Sequence, residues 1–233
     1  MSSTLRLETA GEAALIVYVA EESSPEVAAR VQALGQELRR RSGDVLVDLR
    51  PSYASLLVQF DALQTDAFAM RELIRQIAKT LGQVAARDGA LVELPVYYHP
   101  ETGADLETLA RSSGLGDWEA VARIHAETEY RVYAIGFAPG FAYLGDVDER
   151  IAAPRLATPR QRVPRGTVAI ADRQTAVYPA ASPGGWNLIG RSPLRMFDKD
   201  AHPSMPVAVG DRVKFVAISR EEYLSAGGTL DES

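Results

Sequence analysis

The sequence predicts an α+β protein in two parts: an α/β unit over residues 1–100, then a compact antiparallel β-barrel with leading helices over residues 101–233. Three observations point there. Before residue 100, short β-branched apolar runs alternate with longer stretches whose apolar residues recur at helical spacing. From Gly136 onward the apolar runs are short, and proline- and glycine-rich connectors separate them, as in barrels and sandwiches. The chain has 233 residues, 46% hydrophobic and 24% charged, enough to bury the core of one large domain or two small ones.

The elements follow in order. ALIVYV (Ala14–Val19) reads as a strand. Ser23, Ser24 and Pro25 open a helix, with Glu26 placed for a capping box, and Val27, Val31, Leu34 and Leu38 form its apolar stripe. Arg39–Arg41 suit its negative end, and Gly43 stops it. VLVDL (Val45–Leu49) and SLLVQF (Ser55–Phe60) are strands about a turn at Pro51. Thr65 or Asp66 caps a second helix bearing Met70, Leu73, Ile74, Ile77 and Leu81, and ALVELPVYY (Ala90–Tyr98) is a final strand. The order β-α-β-β-α-β is that of a ferredoxin-like unit. After the loop His99–Asp105, helices begin at Asp105 and Asp117, and EYRVYAIGF (Glu129–Phe137) is a strand. TVAIA (Thr167–Ala171), TAVYP (Thr175–Pro179) and RVKFVAI (Arg212–Ile218) are the short strands of the barrel.

Composition excludes several chemistries. With no cysteine there is no disulfide, thiol nucleophile or thiolate metal site. The three histidines, His99, His125 and His202, are too scattered for a histidine-based metal motif, and no metal is expected. No GxxxxGK[ST] or GxGxxG occurs, so an ATP-using protein of this sequence has no phosphate loop of its own. A net charge of −6 argues against nucleic acid. No apolar run is long enough to span a bilayer and no basic leader precedes one, so a cytoplasmic protein is expected. Charge is uneven: residues 150–200 hold nine Arg or Lys against three Asp or Glu. That basic segment fits an anionic ligand, an acidic partner surface, or a merely solvated loop.

Three segments are dense in chemistry: GFAPGFAYLG (136–145), PRQRVPRGTVAIADRQTAVYP (159–179) and SPGGWNLIGRSP (182–193). Glycine admits positive φ or close approach, proline stiffens the loop, aromatics supply flat walls and arginine supplies a fork for carboxylate or phosphate. These are the ingredients of a preorganised small-molecule pocket, and equally of tight barrel corners.

These segments, with RPSYASLLVQFD, ELPVYY, ADLETLARSSGL and VARIHAETEYRVYAIGF, resemble the allophanate hydrolase subunit 1 (AHS1) family over nearly the whole chain. The resemblance implies an N-terminal α/β domain and a cyclophilin-like barrel. It also implies one component, of the B type, of an ATP-dependent enzyme that opens 5-oxoproline to glutamate, inactive alone. ATP, with Mg²⁺ as its counter-ion, would be used by the complex. The implied partners are a C-type component, homologous to KipA, and an A-type component of the LamB/YcsF kind. KipI-like members instead inhibit a sporulation histidine kinase, and that regulatory alternative stands beside the enzymatic one. The family pattern GSVGIAGGQTGIYP is met here by Thr167, Ala169, Asp172, Arg173 and Ala176 at its variable positions, and Ser192 stands where threonine is frequent. Asp172 and Arg173 would narrow or recharge a ligand site built on those glycines.

Opening a lactam that bears a carboxylate, by way of phosphorylation at its amide oxygen, needs an anion anchor, a polarised carbonyl and a dry site. Arg160, Arg162 and Arg191 are the candidate anion contacts, Arg191 as a catalytic group; each could also be a loop brace. Gly184 and Gly185 could present N–H groups to an oxyanion or simply turn the chain beside Trp186. Gln174, Thr175 and Tyr178 are candidate orienting groups. Phe137, Phe141, Tyr143 and Trp186 are pocket wall or core. His125 is the candidate general base, although a histidine sharing a helical face with Trp118 and Val121 also fits a core role.

Overall fold

The computed structural model describes residues 5–81 and 89–230. The chain divides into two compact units, Met1–Asp88 and Gly89–Ser233.

The first unit contains β1 (Arg6–Thr9), β2 (Ala14–Tyr18), α1 (Pro25–Ser42), β3 (Leu46–Pro51), β4 (Ser55–Phe60) and α2 (Ala67–Thr80). Of the two serines before Pro25, Ser24 caps α1 by accepting from the Val27 N–H at 3.2 Å; Asp66 caps α2 by accepting from the Ala69 N–H at 2.8 Å. The sheet order is β1-β2-β4-β3, antiparallel throughout. Leu56, Val58 and Phe60 alternate onto the buried face, where Leu15, Val17, Leu34, Leu38, Ile74 and Ile77 complete the core.

The ferredoxin-like order expected from sequence is not the one observed. Residues 90–98, expected as the last strand of this unit, supply β5 (Leu91–Val96) to the other unit. The sheet position beside β2 is filled by β1, whose sequence RLET is too polar to register as an apolar run. The second unit accordingly starts at Gly89 rather than near residue 100.

After β5 come α3 (Leu106–Ser112), α4 (Trp118–Glu127), β6 (Glu129–Ile135), β7 (Ala142–Gly145), β8 (Arg160–Val163), β9 (Thr167–Ala171), β10 (Gln174–Val177), β11 (Ser182–Gly184), β12 (Asn187–Arg191), β13 (Arg212–Ala217) and α5 (Arg220–Ser225). Among the described residues, seven strands form one sheet in the order β12-β9-β10-β7-β6-β13-β5. Its ends meet where Tyr97 and Arg191 exchange backbone hydrogen bonds of 2.9 and 3.0 Å, giving a nearly closed barrel. The barrel is not purely antiparallel: β5 and β13 run parallel over six residue pairs. A separate two-stranded ribbon pairs β8 with β11.

Alternation along the strands builds two cores. Val168 and Ile170 of β9 join Val132, Leu144, Ile189 and Phe215 in the main core, to which α3 and α4 add Leu109, Val121 and Ile124. Ala169 and Ala171 turn to the opposite face and meet Phe141, Val163, Tyr178, Trp186 and Leu188 in a smaller cluster. The pocket described below lies over that second cluster.

Candidate functional site

Strand β6 leaves the sheet at Ile135, and the chain re-enters as β7 at Ala142. Between them Phe137 has φ of 70°, and the Ala138 N–H donates to the Gly136 carbonyl at 2.9 Å. This is a γ-turn of the positive-φ kind, rare and strained, centred on an aromatic residue. Gly140, at φ 88°, then lets the chain pass within contact of the Met196 carbonyl, where a Cβ would come to 2.7 Å. The turn leaves Phe137 66% exposed and sends Phe141 into the buried cluster.

Phe141 is the hub. Its ring meets Phe137, Tyr143, Tyr178 and Trp186 edge to face, at centroid distances of 5.2, 4.9, 5.4 and 5.6 Å. These five aromatics line a cavity of about 180 Å³, together with Arg155, Leu156, Pro159, Pro183, Gly184 and Gly185. Gly184 sits against the Tyr178 hydroxyl so closely that a Cβ there would collide with it. Burial pushes the Tyr178 phenol up to about 12, an effect that the nearby charge of Arg155 opposes. The Arg155 guanidinium lies 5.9 Å over the Trp186 ring. The walls are therefore flat and largely aromatic, with one cation at the edge. Among the described residues, no His, Asp and Glu side chains gather as a metal site would require.

The structure thus brings Phe137, Phe141, Tyr143, Tyr178, Gly184, Gly185 and Trp186 together, and leaves the other candidates outside. His125 is fully buried. Its Nδ1 lies 2.7 Å from the Tyr98 hydroxyl and its Nε2 2.9 Å from Thr175 Oγ1, while Thr175 donates onward to the Ala169 carbonyl at 3.0 Å. The Thr175 proton being committed, Nε2 carries the hydrogen and Nδ1 accepts from Tyr98. Packed against Tyr130 and Phe215, the imidazole is driven down to about 3 by desolvation. His125 and Thr175 are thus a satisfied core pair, not a general base and an orienting group at the pocket. Gln174 is half-buried at the start of β10 and does not line the cavity.

The arginines expected as anion contacts are engaged elsewhere. Arg160 pairs with Asp105 at 2.8 Å and reaches the Trp186 carbonyl at 3.4 Å; Asp105 also accepts from the Leu188 N–H at 2.7 Å. Asp105, expected as an α3 cap, makes no cap hydrogen bond and serves this brace instead. Arg191 is buried and donates to the Thr229 carbonyl at 2.9 Å, holding the segment after α5 against the barrel closure. Arg162 is exposed on β8 and does not line the cavity. Asp172 and Arg173 form the β9–β10 hairpin tip, Asp172 at φ 52° and Arg173 paired with Glu149 at 2.6 Å. That positive φ is a physical reason for glycine in the family pattern, and the substitution changes a turn rather than a pocket wall.

Sequence reasoning missed Arg155, Leu156, Pro159 and Pro183 as lining residues. Arg155 lies inside the basic segment, but only the fold separates an uncommitted arginine from a paired one.

The profile of the family described as carboxyltransferase domain, subdomain C and D, matches residues 5–207. The B subunit of the Bacillus subtilis 5-oxoprolinase is 36% identical over 233 residues, covering 96% of this chain and 97% of that protein. The B subunit of the Haemophilus influenzae 5-oxoprolinase is 39% identical over 65% of this chain and 72% of that protein. The solved structure of TTHA0988 superposes with a TM-score of 0.79 at 36% identity over 90% of this chain, which spans 40% of that longer protein. Urea carboxylase of Kluyveromyces lactis shares the fold at a TM-score of 0.74 and 18% identity, over 95% of this chain and 22% of that protein.

Proposed function

The chain belongs to the carboxyltransferase subdomain C and D family, and from that premise we propose that it is the B-type component of a multi-component, ATP-dependent 5-oxoprolinase that opens 5-oxoproline to L-glutamate. The full-length match to the Bacillus subtilis protein carries this reading. The aromatic cavity supports it chemically. Its volume of about 180 Å³ suits a small ring and falls below the roughly 300–1,000 Å³ of pockets for larger ligands.

The same comparison bears on ATP. The cavity is small for a nucleotide, and the sequence carries no phosphate loop. We assign ATP and its Mg²⁺ to the partner components, one of the C type and one of the LamB/YcsF-like A type. The chain is inactive alone on this reading, because the cavity is open on the side where Phe137 is exposed. A covering partner would bury that ring and exclude water. No helix among the described residues is long and apolar enough to cross a membrane; a cytoplasmic location for the complex is part of the proposal.

The test is reconstitution. 5-Oxoproline-dependent ATP hydrolysis and glutamate release are measured with all three components and with each omitted in turn. Turnover that requires this chain is the expected result. A complete assembly without turnover on 5-oxoproline would sink the reading and bring the kinase-inhibitor alternative forward.

A further inference from the structure

We propose that Arg155 is the specificity residue of this cavity, selecting ligands that carry a carboxylate on a small ring. The inference rests on reading the cavity as the 5-oxoproline site.

Among the described residues, Arg155 is the one charged side chain lining the cavity. Three of its neighbours in the basic segment are ion-paired, Arg150 with Asp148, Arg160 with Asp105 and Arg173 with Glu149, while Arg162 and Arg165 do not line the cavity. Among the described residues no carboxylate pairs with Arg155, so its fork of N–H donors is free to meet a ligand. Position and charge agree: it overlies Trp186, and its field reaches Tyr178 on the cavity wall.

Its mounting is rigid. The Ala153 carbonyl accepts from the Asp172 N–H at 2.6 Å, the Pro154 carbonyl accepts from Asn187 Nδ2 at 2.9 Å, and the Leu156 N–H donates to the Gly185 carbonyl at 2.7 Å. Three successive anchors therefore fix the backbone on both sides of Arg155 before any ligand arrives. The other walls are mostly aromatic rings and prolines, which accept the face of a neutral ring and, through the Tyr143 and Tyr178 hydroxyls, offer neutral donors but no positive charge to an anion. A ring with one carboxylate matches that division: ring on the aromatics, carboxylate on the guanidinium in a bidentate pair.

Calorimetric titration of the chain, by itself and with its partner components, compares 5-oxoproline with 2-pyrrolidinone, the same lactam without the carboxylate. The wild type is expected to prefer 5-oxoproline. Arg155→Gln is expected to weaken 5-oxoproline by roughly ten- to a hundredfold and leave 2-pyrrolidinone unchanged, with Arg155→Lys between the two. Phe137→Ala, at an exposed rim position, is expected to weaken both ligands. If Phe137→Ala weakens 5-oxoproline and Arg155→Gln does not, the carboxylate assignment is overturned and the cavity stands. If neither substitution matters, or the wild type binds neither ligand, the cavity reading falls and takes the Arg155 assignment with it.

Discussion

Acidification from pH 8 to pH 5 is expected to weaken the second unit through one side chain, His125. In the unfolded chain its imidazole titrates near 6.5; in the fold, burial holds it at about 3. Between those values the unfolded state binds a proton that the folded state refuses. Stability is therefore complete above pH 6.5 and falls as the pH drops toward 3. Each pH unit below 6.5 removes about 1.4 kcal/mol, so pH 5 removes about 2 kcal/mol relative to pH 8, or roughly 4–8 °C in Tm for a unit of this size. Urea unfolding followed by tryptophan fluorescence reads the correct unit, since both tryptophans, Trp118 and Trp186, lie in it. Carboxylates titrate over the same range, so the informative quantity is the difference between wild type and His125→Gln. The variant is less stable at pH 8, because it disturbs the chain of hydrogen bonds from Tyr98 to Ala169, but its stability should depend less on pH by about 2 kcal/mol. An equal pH dependence in the two proteins, or an imidazole titration by NMR with a midpoint near 6, would refute the reasoning.

Three further outcomes are expected. Asp105→Ala should cost about 2–3 kcal/mol in urea unfolding, because it strands the Leu188 N–H and the Arg160 guanidinium together. Phe137→Gly should raise stability by about 1 kcal/mol by relieving the positive φ, yet lower affinity for 5-oxoproline; thermal melts and calorimetry should move in opposite directions. Gly184→Ala should displace the Tyr178 ring and cost about 1–3 kcal/mol, with a loss of ligand binding visible at concentrations of urea where the protein is still fully folded.

Much of this was legible in the sequence, and the failures share a cause. Ser55–Phe60 and Ala67–Thr80 announce themselves by local periodicity, because each buries one face whatever its neighbours are. The pocket aromatics were visible because glycine and proline around Phe137, Phe141 and Trp186 mark backbone that regular elements avoid. What stayed hidden depends on a distant partner. The Leu91–Val96 run looks the same whether it joins the first sheet or the second, and only pairing with Arg212–Ala217 decides. Arg155, Arg160 and Arg191 are equivalent as letters. A cavity, Asp105 and the Thr229 carbonyl give them three different tasks.

The parallel pairing of β5 with β13 has a consequence for biosynthesis. Leu91 meets Arg212, so β5 emerges from the ribosome 121 residues ahead of the strand that must cover it. At about 5–20 residues per second that is a wait of roughly 6–24 s. Meanwhile the first unit, whose strands and helices all precede β5 in the chain, can complete its core. Leu94 and Val96, fully buried in the finished barrel, are then exposed on an unpaired strand, a natural point for chaperone engagement and for loss to aggregation during overexpression.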